Sequence, residues 1–344
     1  MGKSLNTMKI DNKTLIIAEA GVNHNGSITL AKKLIVAAKK SGADIIKFQS
    51  FIVDNLVTES ATKADYQKKT TQSNESQYTM LKKLELSDSD HYILKKFAEE
   101  KHIEFLSSPF DIEGAKLLQK LKLKRIKIPS GEITNLPFLE FVGKMNKEVI
   151  LSTGMSDLKE ISKALSILRK NGLPDSKIKL LHCNTEYPTP FHDINLNAIS
   201  MMRKKFNLEI GYSDHSPGSL VPSLAVSKGA SIIEKHLTLD KNMIGPDHAA
   251  SLTPSEFKKM VENIRTTEVS LGSGIKTPSK SELKNIPIAR KSIVAKVDIK
   301  SGEIFTEKNI IPKRPGKGIS PMKWNQVIGR KAKINFKKDD FIKL

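Results

Sequence analysis

Glu209–His236, EIGYSDHSPGSLVPSLAVSKGASIIEKH, holds two apolar runs with a helix-length segment between them. The first run ends in Ser213, Asp214 and His215, and the second, SIIEKH, ends in Lys235 and His236. Two strand signals separated by about a dozen helix-compatible residues make a βαβ unit, whose strands run parallel. Parallel neighbours finish at the same edge of a sheet. His215 and His236 are therefore expected side by side at strand C-termini, within reach of one metal ion. In a (β/α)₈ barrel that is the end that carries chemistry.

The same alternation extends outward in both directions. Strand-like runs are read at Leu15–Ala20, Ile45–Gln49, Glu104–Ser108, Arg125–Pro129, Val149–Thr153, Ile178–Cys183, Glu209–Ser213 and Ser231–His236. Periodic stretches such as LAKKLIVAAKKSG, GAKLLQKLK and LKEISKALSILRKNG lie between them, several ending in Gly or Asn-Gly as helix C-caps do. Eight β–α repeats predict a closed TIM barrel rather than an open doubly wound sheet. The polar interval Ile52–Gln77 reads as one outsized loop and a substrate-lid candidate. After the helix near Pro254–Leu271, the Gly-, Ser-, Pro- and Lys-rich composition reads as a linker. The expected organisation is a catalytic barrel over 1–274, a linker over 275–288 and a small β-rich domain over 289–344. So small a domain sits near the lower limit for standing alone.

Composition narrows the function. With 344 residues, 38% hydrophobic and 27% charged, the chain reads as an ordinary globular protein. No apolar run approaches the roughly 20 residues of a membrane span, and MGKSLNTMKIDNK lacks the apolar core of a secretory signal. Cys183 stands alone, so no intramolecular disulfide can form, and a cytoplasmic location is expected. The net charge of +20 comes from dispersed lysines, and aromatics are only 6% with no stacking motif. That pattern argues against nucleic acid and suits an anionic small substrate.

What each strand ends with is more specific. Glu19 and then GVNHNG follow the first strand, Lys47 and Gln49 lie in the second, and Ser107 and Ser108 close the third. Lys127, Ser130 and Glu132 come next, then Ser152 and Thr153, then His182, Asn184 and Tyr187. Ser213, Asp214, His215, Glu234 and His236 complete the set. Turn chemistry explains Ser and Asn at strand ends; it does not explain the Lys, Glu and His among them. Two lysines with several hydroxyls suit a phosphate plus a carboxylate. The paired imidazoles suit a divalent ion, Mn²⁺ first, with Mg²⁺ or Co²⁺ as alternatives. Structural zinc is not expected, since it needs four N/S ligands and one Cys exists. His91 and His102, flanking a helix, read as surface residues. There is no P-loop or GxGxxG, so nucleotide binding has no support.

IAEAGVNHNGS, IKFQSF, LSSPFD, KIPSGEITNLP, ILSTGMS, LHCNTEYPTPF, GYSDHS, IEKHLTLD and GPDHAAS resemble, in order, the motifs of the sialic acid (nonulosonic acid) synthase family. KRPGKGISPM resembles the loop of that family's C-terminal antifreeze-like (SAF) domain. Bacterial N-acetylneuraminate synthases show the strongest likeness, while N,N′-diacetyllegionaminate synthases share KFQSF, TTxxxESQ and LDKNM-type segments. The resemblance implies metal-dependent condensation of phosphoenolpyruvate with N-acetylmannosamine and water, phosphate leaving by C–O cleavage. The alternative acceptor is 2,4-diacetamido-2,4,6-trideoxymannose.

By the same resemblance, Lys47, Ser108, Lys127, Ser130, Ser152 and Ser213 hold phosphoenolpyruvate, and His215 and His236 hold the metal. Glu19 and Glu132 serve proton transfer. Gln49, Asn184, Tyr187 and Asp247 face the sugar, and Arg314 reaches it from the SAF domain of a partner in a domain-swapped homodimer. Trp324 is expected to anchor the small domain's core. Two more distant readings are a Schiff-base pyruvate aldolase using Lys127 or Lys47 and a non-catalytic sugar-binding protein.

Overall fold

A computed structural model describes residues 13–71 and 75–344. Most of the N-terminal segment, and residues 72–74 of the long interval, lie outside them. The described chain divides into two compact units, Met1–Ser273 and Gly274–Leu344.

In the first unit eight strands form one parallel sheet: β1 Leu15–Gly21, β2 Ile45–Ser50, β3 Glu104–Pro109, β4 Arg125–Ile128, β5 Glu148–Ser152, β6 Ile178–Cys183, β7 Glu209–Asp214 and β8 Ile232–His236. The ladder order is β3-β2-β1-β8-β7-β6-β5-β4, and β3 and β4 pack against each other, so the sheet closes on itself. Helices follow the strands, among them Ile28–Lys40 after β1, Leu158–Lys170 after β5 and Pro254–Leu271 after β8. Their starts are written in the sequence. Ser27, Asp157 and Thr253 each accept from a backbone N–H of the following first turn, satisfying donors a helix leaves unpaired.

The period-two alternation of strands sorts the barrel interior into layers. At the N-terminal end Arg125 pairs with Glu104 and Glu148, and Lys179 with Glu148 and Glu209. Above them Ile17, Ile45, Leu106, Ile150, Leu181 and Ile232 form a dry plug. Two residues further along β1, β2, β3, β5, β7 and β8 stand Glu19, Lys47, Ser108, Ser152, Ser213 and Glu234. The outward-facing positions bury a larger core against the helices.

Gly211 of β7 stands in the plug, opposite Leu181. A Cβ there would lie 2.5 Å from Leu181 Cδ2 and 2.6 Å from the Ile232 carbonyl oxygen, and a carbonyl in a ladder cannot swing aside. Gly211→Ala is expected to cost about 1–3 kcal/mol by overpacking. Urea unfolding would show this as a lowered midpoint; an unchanged midpoint would mean that the wall yields.

Two expectations need correction here. The interval after β2 is not one loop: it folds into the short helices Val53–Leu56 and Asp65–Thr70, followed by Gln77–Lys82. Val22, Phe51, Val53, Met80 and Leu84 bury one another beneath it, so a run that looked polar carries its own small core. His91 is also no surface residue. It is 1% exposed, and its Nε2 lies 2.8 Å from Ser50 Oγ, fastening the helix Asp88–Glu100 to β2.

In the second unit β9 Ser292–Ala295 pairs antiparallel with β10 Ile310–Lys313. Ile293, Ile299, Phe305, Ile310, Val327 and Phe336 form its core, with Trp324 half-buried against it. The stretch read as a linker contains two helical turns, Lys280–Leu283 and Ile286–Ala289. Arg314 follows β10, and its Nε donates to the Ala289 carbonyl at 2.9 Å.

Candidate active site at the barrel mouth

The inward positions above the plug converge on a cavity of about 170 Å³. Its lining includes Glu19, Lys47, Gln49, Ser108, Lys127 and Ser130, and also Ser152, Tyr187, Ser213, His215 and His236. Eleven of the residues expected at the site are thus brought together. Asp247 lines an adjoining cavity of about 250 Å³ that shares Gln49, Phe110, Tyr187 and His236 with the first. Glu132 and Asn184 line neither. Glu132 lies in the turn after β4 with Asn135 Nδ2 2.6 Å from its Oε2. The Asn184 side chain accepts from Glu186 N and Thr189 Oγ1, shaping its own loop. Arg314 belongs to the second unit.

Register explains the convergence. Glu19 is paired with Lys47 on one side and His236 on the other, and Ser213 with Glu234. Lys47 Nζ lies 2.8 Å from Glu19 Oε2, 2.8 Å from Ser108 Oγ and 3.7 Å from Glu234 Oε1. Lys127 Nζ donates to Ser152 Oγ at 2.7 Å and sits 3.6 Å from the same Glu234 oxygen. Ser213 Oγ donates to that oxygen at 3.1 Å. Glu234 is the hub of this network. Its identity was legible two residues before His236, on the same face of β8, but its role was not. Cys183, also in the lining, is a buried thiol pushed up to about 11 by its burial, so it is not a thiolate.

Burial and charge set the protonation states. Burial pushes Glu19 up to about 7 against the pull of Lys47. Burial would raise Glu234 too, but Lys127 and Lys47 outweigh it and hold the carboxyl below its ordinary range. Lys127 is lowered, by burial first, whereas for Lys47 the same burial is outweighed by Glu19 and Glu234. Glu234 is therefore the firm carboxylate of the site and Lys47 its firm cation, while Glu19 titrates near neutrality.

His215 and His236 face each other with ring centroids 5.4 Å apart, and Tyr187 stacks on His215 at 4.0 Å. Burial holds His215 near 4 and His236 well below the usual imidazole range, so both rings are neutral, as metal ligation requires. His215 Nδ1 donates to the Asn184 carbonyl, leaving Nε2 with its lone pair. His236 Nδ1 is buried and hydrogen-bonds nothing, with Asp247 Oδ2 3.9 Å away. Among the described residues no group of three or more His, Cys, Asp or Glu could hold an ion. The pair thus fits an ion that takes two imidazoles and completes its shell with water or substrate oxygens.

Behind the barrel wall, Lys235 and Asp214 form a fully buried ion pair at 2.7 Å. Tyr212 OH and Ser216 N each donate to the other Asp214 oxygen at 3.0 Å. This outward-facing cluster ties together the strand ends that carry the two imidazoles. Sequence reading named Asp214 and Lys235 at the strand ends without seeing that they point away from the site.

Asp247 is raised to about 7 by burial, so ionising it costs the fold free energy. Below the unfolded pKa, near 3.9, the penalty is absent; between there and pH 7 the native state holds a proton the unfolded state has lost, so stability falls as pH rises. Asp247→Asn should equal the metal-free parent in stability at pH 4 and exceed it at pH 8 by about 2–4 kcal/mol. A difference independent of pH would refute the assignment.

A parallel (β/α)₈ barrel with lysines, glutamates and imidazoles at its strand C-termini has the build of a barrel enzyme. The chain belongs to the NeuB family, whose model matches residues 34–276, and a SAF domain follows over 290–344. It is 55% identical to the N,N′-diacetyllegionaminic acid synthase of Campylobacter jejuni, over 96% of this chain and 99% of that one. The enzyme of the same name from Legionella pneumophila is 46% identical over 93% of this chain and 90% of its own. Among solved structures, an N-acetylneuraminic acid synthetase from Leptospira borgpetersenii in complex with citrate superposes with a TM-score of 0.70. It is 35% identical, covering 80% of this chain and 90% of its own. Among the described residues no helix is long and apolar enough to cross a membrane.

Proposed function

We propose that the chain condenses phosphoenolpyruvate with 2,4-diacetamido-2,4,6-trideoxymannose and water, releasing phosphate and N,N′-diacetyllegionaminic acid. The 55% identity to a synthase of that name carries the choice of acceptor. It displaces the expected N-acetylmannosamine, because the sialic acid synthetase is 35% identical. The cavity supports the other substrate: Lys47 and Lys127, each buried and hydrogen-bonded to a serine, offer positioned donors to a phosphate and a carboxylate.

Within this reading Lys47, Lys127, Ser108, Ser130, Ser152 and Ser213 hold the enol ester so that its C3 faces the acceptor aldehyde. His215 and His236 would hold a divalent ion, Mn²⁺ first, which would supply Lewis acidity toward the acceptor aldehyde. Attack of C3 on the aldehyde carbon forms the new C–C bond and leaves positive charge at C2. Water adds there, one of its protons passing to the former aldehyde oxygen. The resulting tetrahedral centre loses phosphate with the C–O bond as its remaining hydroxyl proton leaves with the phosphate and the C2 ketone forms. Glu19, buried and raised to about 7, is poised to take the proton from that water near neutrality. Glu132, the other carboxyl expected for proton transfer, lines neither cavity and is bonded to Asn135, so the role falls to Glu19. Ground-state binding is not enough here: the lysines must meet the charge that builds on the departing phosphate.

The acceptor panel tests this directly. Phosphate release from phosphoenolpyruvate should be fastest with the diacetamido sugar; faster release with N-acetylmannosamine would restore the sialic acid reading. Borohydride trapping of pyruvate on the chain, with turnover insensitive to EDTA, would favour an aldolase instead. Arg314 is proposed to serve the acceptor in a homodimer. Arg314→Ala is then expected to raise the acceptor KM about tenfold or more while sparing that for phosphoenolpyruvate, as loss of a charged hydrogen bond does; an unchanged acceptor KM would exclude it.

A further inference from the structure

The second cavity differs in chemistry from the first. Seven of its fourteen lining side chains, among them Val22, Leu56, Val57, Leu81 and Phe110, carry no polar atom. Leu56, Val57, Leu81 and Phe110 pack against the buried core of Val22, Phe51, Val53, Met80 and Leu84. The wall is therefore fixed by packing and cannot easily turn a polar group inward. Of the polar groups in the lining, Gln67 Oε1 already accepts from Ala64 N, and Gln49 Nε2 donates to Glu19. Tyr66, Gln77, Tyr187, His236 and Asp247 supply the cavity's other polar groups. A substrate hydroxyl turned instead against the face made by Leu56, Val57 and Leu81 loses water and gains no partner there, whereas a methyl group loses nothing.

Position gives the wall its meaning. The acceptor's aldehyde carbon must lie in the first cavity near the imidazoles, so the rest of the sugar extends past Gln49, Phe110, Tyr187 and His236, the residues the two cavities share. Resting on the functional reading above, we infer that Leu56, Val57 and Leu81 determine acceptor specificity. They select sugars whose far end carries methyl groups, a 6-deoxy carbon and acetamido methyls, over sugars ending in hydroxyls.

The full chain with phosphoenolpyruvate and Mn²⁺ would be assayed for phosphate release with three acceptors: the diacetamido-trideoxy sugar, N-acetylmannosamine and 2-acetamido-2,6-dideoxymannose. The 6-deoxy analogue should exceed N-acetylmannosamine in kcat/KM by about 10-fold or more, and the diacetamido sugar should exceed it further, since one apolar group discriminates by about 10–200-fold. Leu81→Gln and the isosteric Val57→Thr should each shrink the preference by about tenfold and leave the phosphoenolpyruvate KM unchanged, with thermal melting confirming that each variant folds. Equal use of the 6-deoxy and 6-hydroxy sugars by the parent would overturn the inference. So would variants that slow all three acceptors in the same ratio. Turnover of none of the three overturns the functional reading itself, and the inference with it.

Discussion

His236→Ala is expected to lower metal-stimulated phosphate release by on the order of 10³-fold or more, the loss of several kcal/mol at about 1.4 kcal/mol per decade. The argument is geometric. His236 ends β8 in register with Glu19 on β1, faces His215 across 5.4 Å, and keeps Nδ1 buried without a hydrogen bond. A buried nitrogen left unpaired is a standing cost that packing alone would not retain. Calorimetric titration with Mn²⁺ gives a readout independent of turnover: the parent should bind the ion and the variant should not. Near-parental rates with added Mn²⁺, or unaltered binding, would remove His236 from the ligand set.

Lys127→Met should be almost as damaging to chemistry and far less so to the fold. The methionine keeps the length of the stem but withdraws the cation that lies 3.6 Å from Glu234 and bonds Ser152. Removing one preorganised charge from a transition state costs about 10²–10³ in kcat, and losing a ligand of phosphoenolpyruvate adds a rise in its KM. Breaking a buried pair costs about 3–5 kcal/mol when a charge is stranded, but Lys47 still neutralises Glu234 here, so the expected loss is smaller. The acceptor KM should not move. A variant that melts with the parent yet turns over normally would show that Lys127 is a structural cation only.

The barrel was legible because its strands obey a simple rule. Each of the eight runs appears within a residue or so of its expected span, since apolar β-branched residues alternate with helical periodicity at regular intervals. The mouth was legible for the same reason: Glu19, Lys47 and Lys127 are charges inside apolar strands, although the buried pair of Lys235 and Asp214 shows that such a charge can also be structural. What did not show was anything depending on a partner distant in sequence. His91 looked like a surface residue because nothing local reveals that Ser50 meets its ring. Asp214 stood in the strand-end set because adjacency to His215 hides that odd and even positions face opposite ways, and nothing local shows that Lys235 is its buried partner. The segment after β2 reads as polar because its apolar residues, Val53, Leu56, Val57, Met80 and Leu84, are spread over three short helices and their connections. The acceptor is less legible for a related reason: Leu56, Val57 and Leu81, the wall proposed to choose it, come from that segment and not from the strand ends.

The most direct measurement uses phosphoenolpyruvate labelled with ¹⁸O in the bridge between C2 and phosphorus, turned over by the full chain with Mn²⁺ and the diacetamido sugar. If C3 attacks the aldehyde and water adds at C2 in the barrel mouth, every bridging label leaves in inorganic phosphate and the sugar acid carries none. Label retained in the sugar acid would mean cleavage at phosphorus, and the roles given to Glu19, Lys47, Lys127 and the two imidazoles would be wrong.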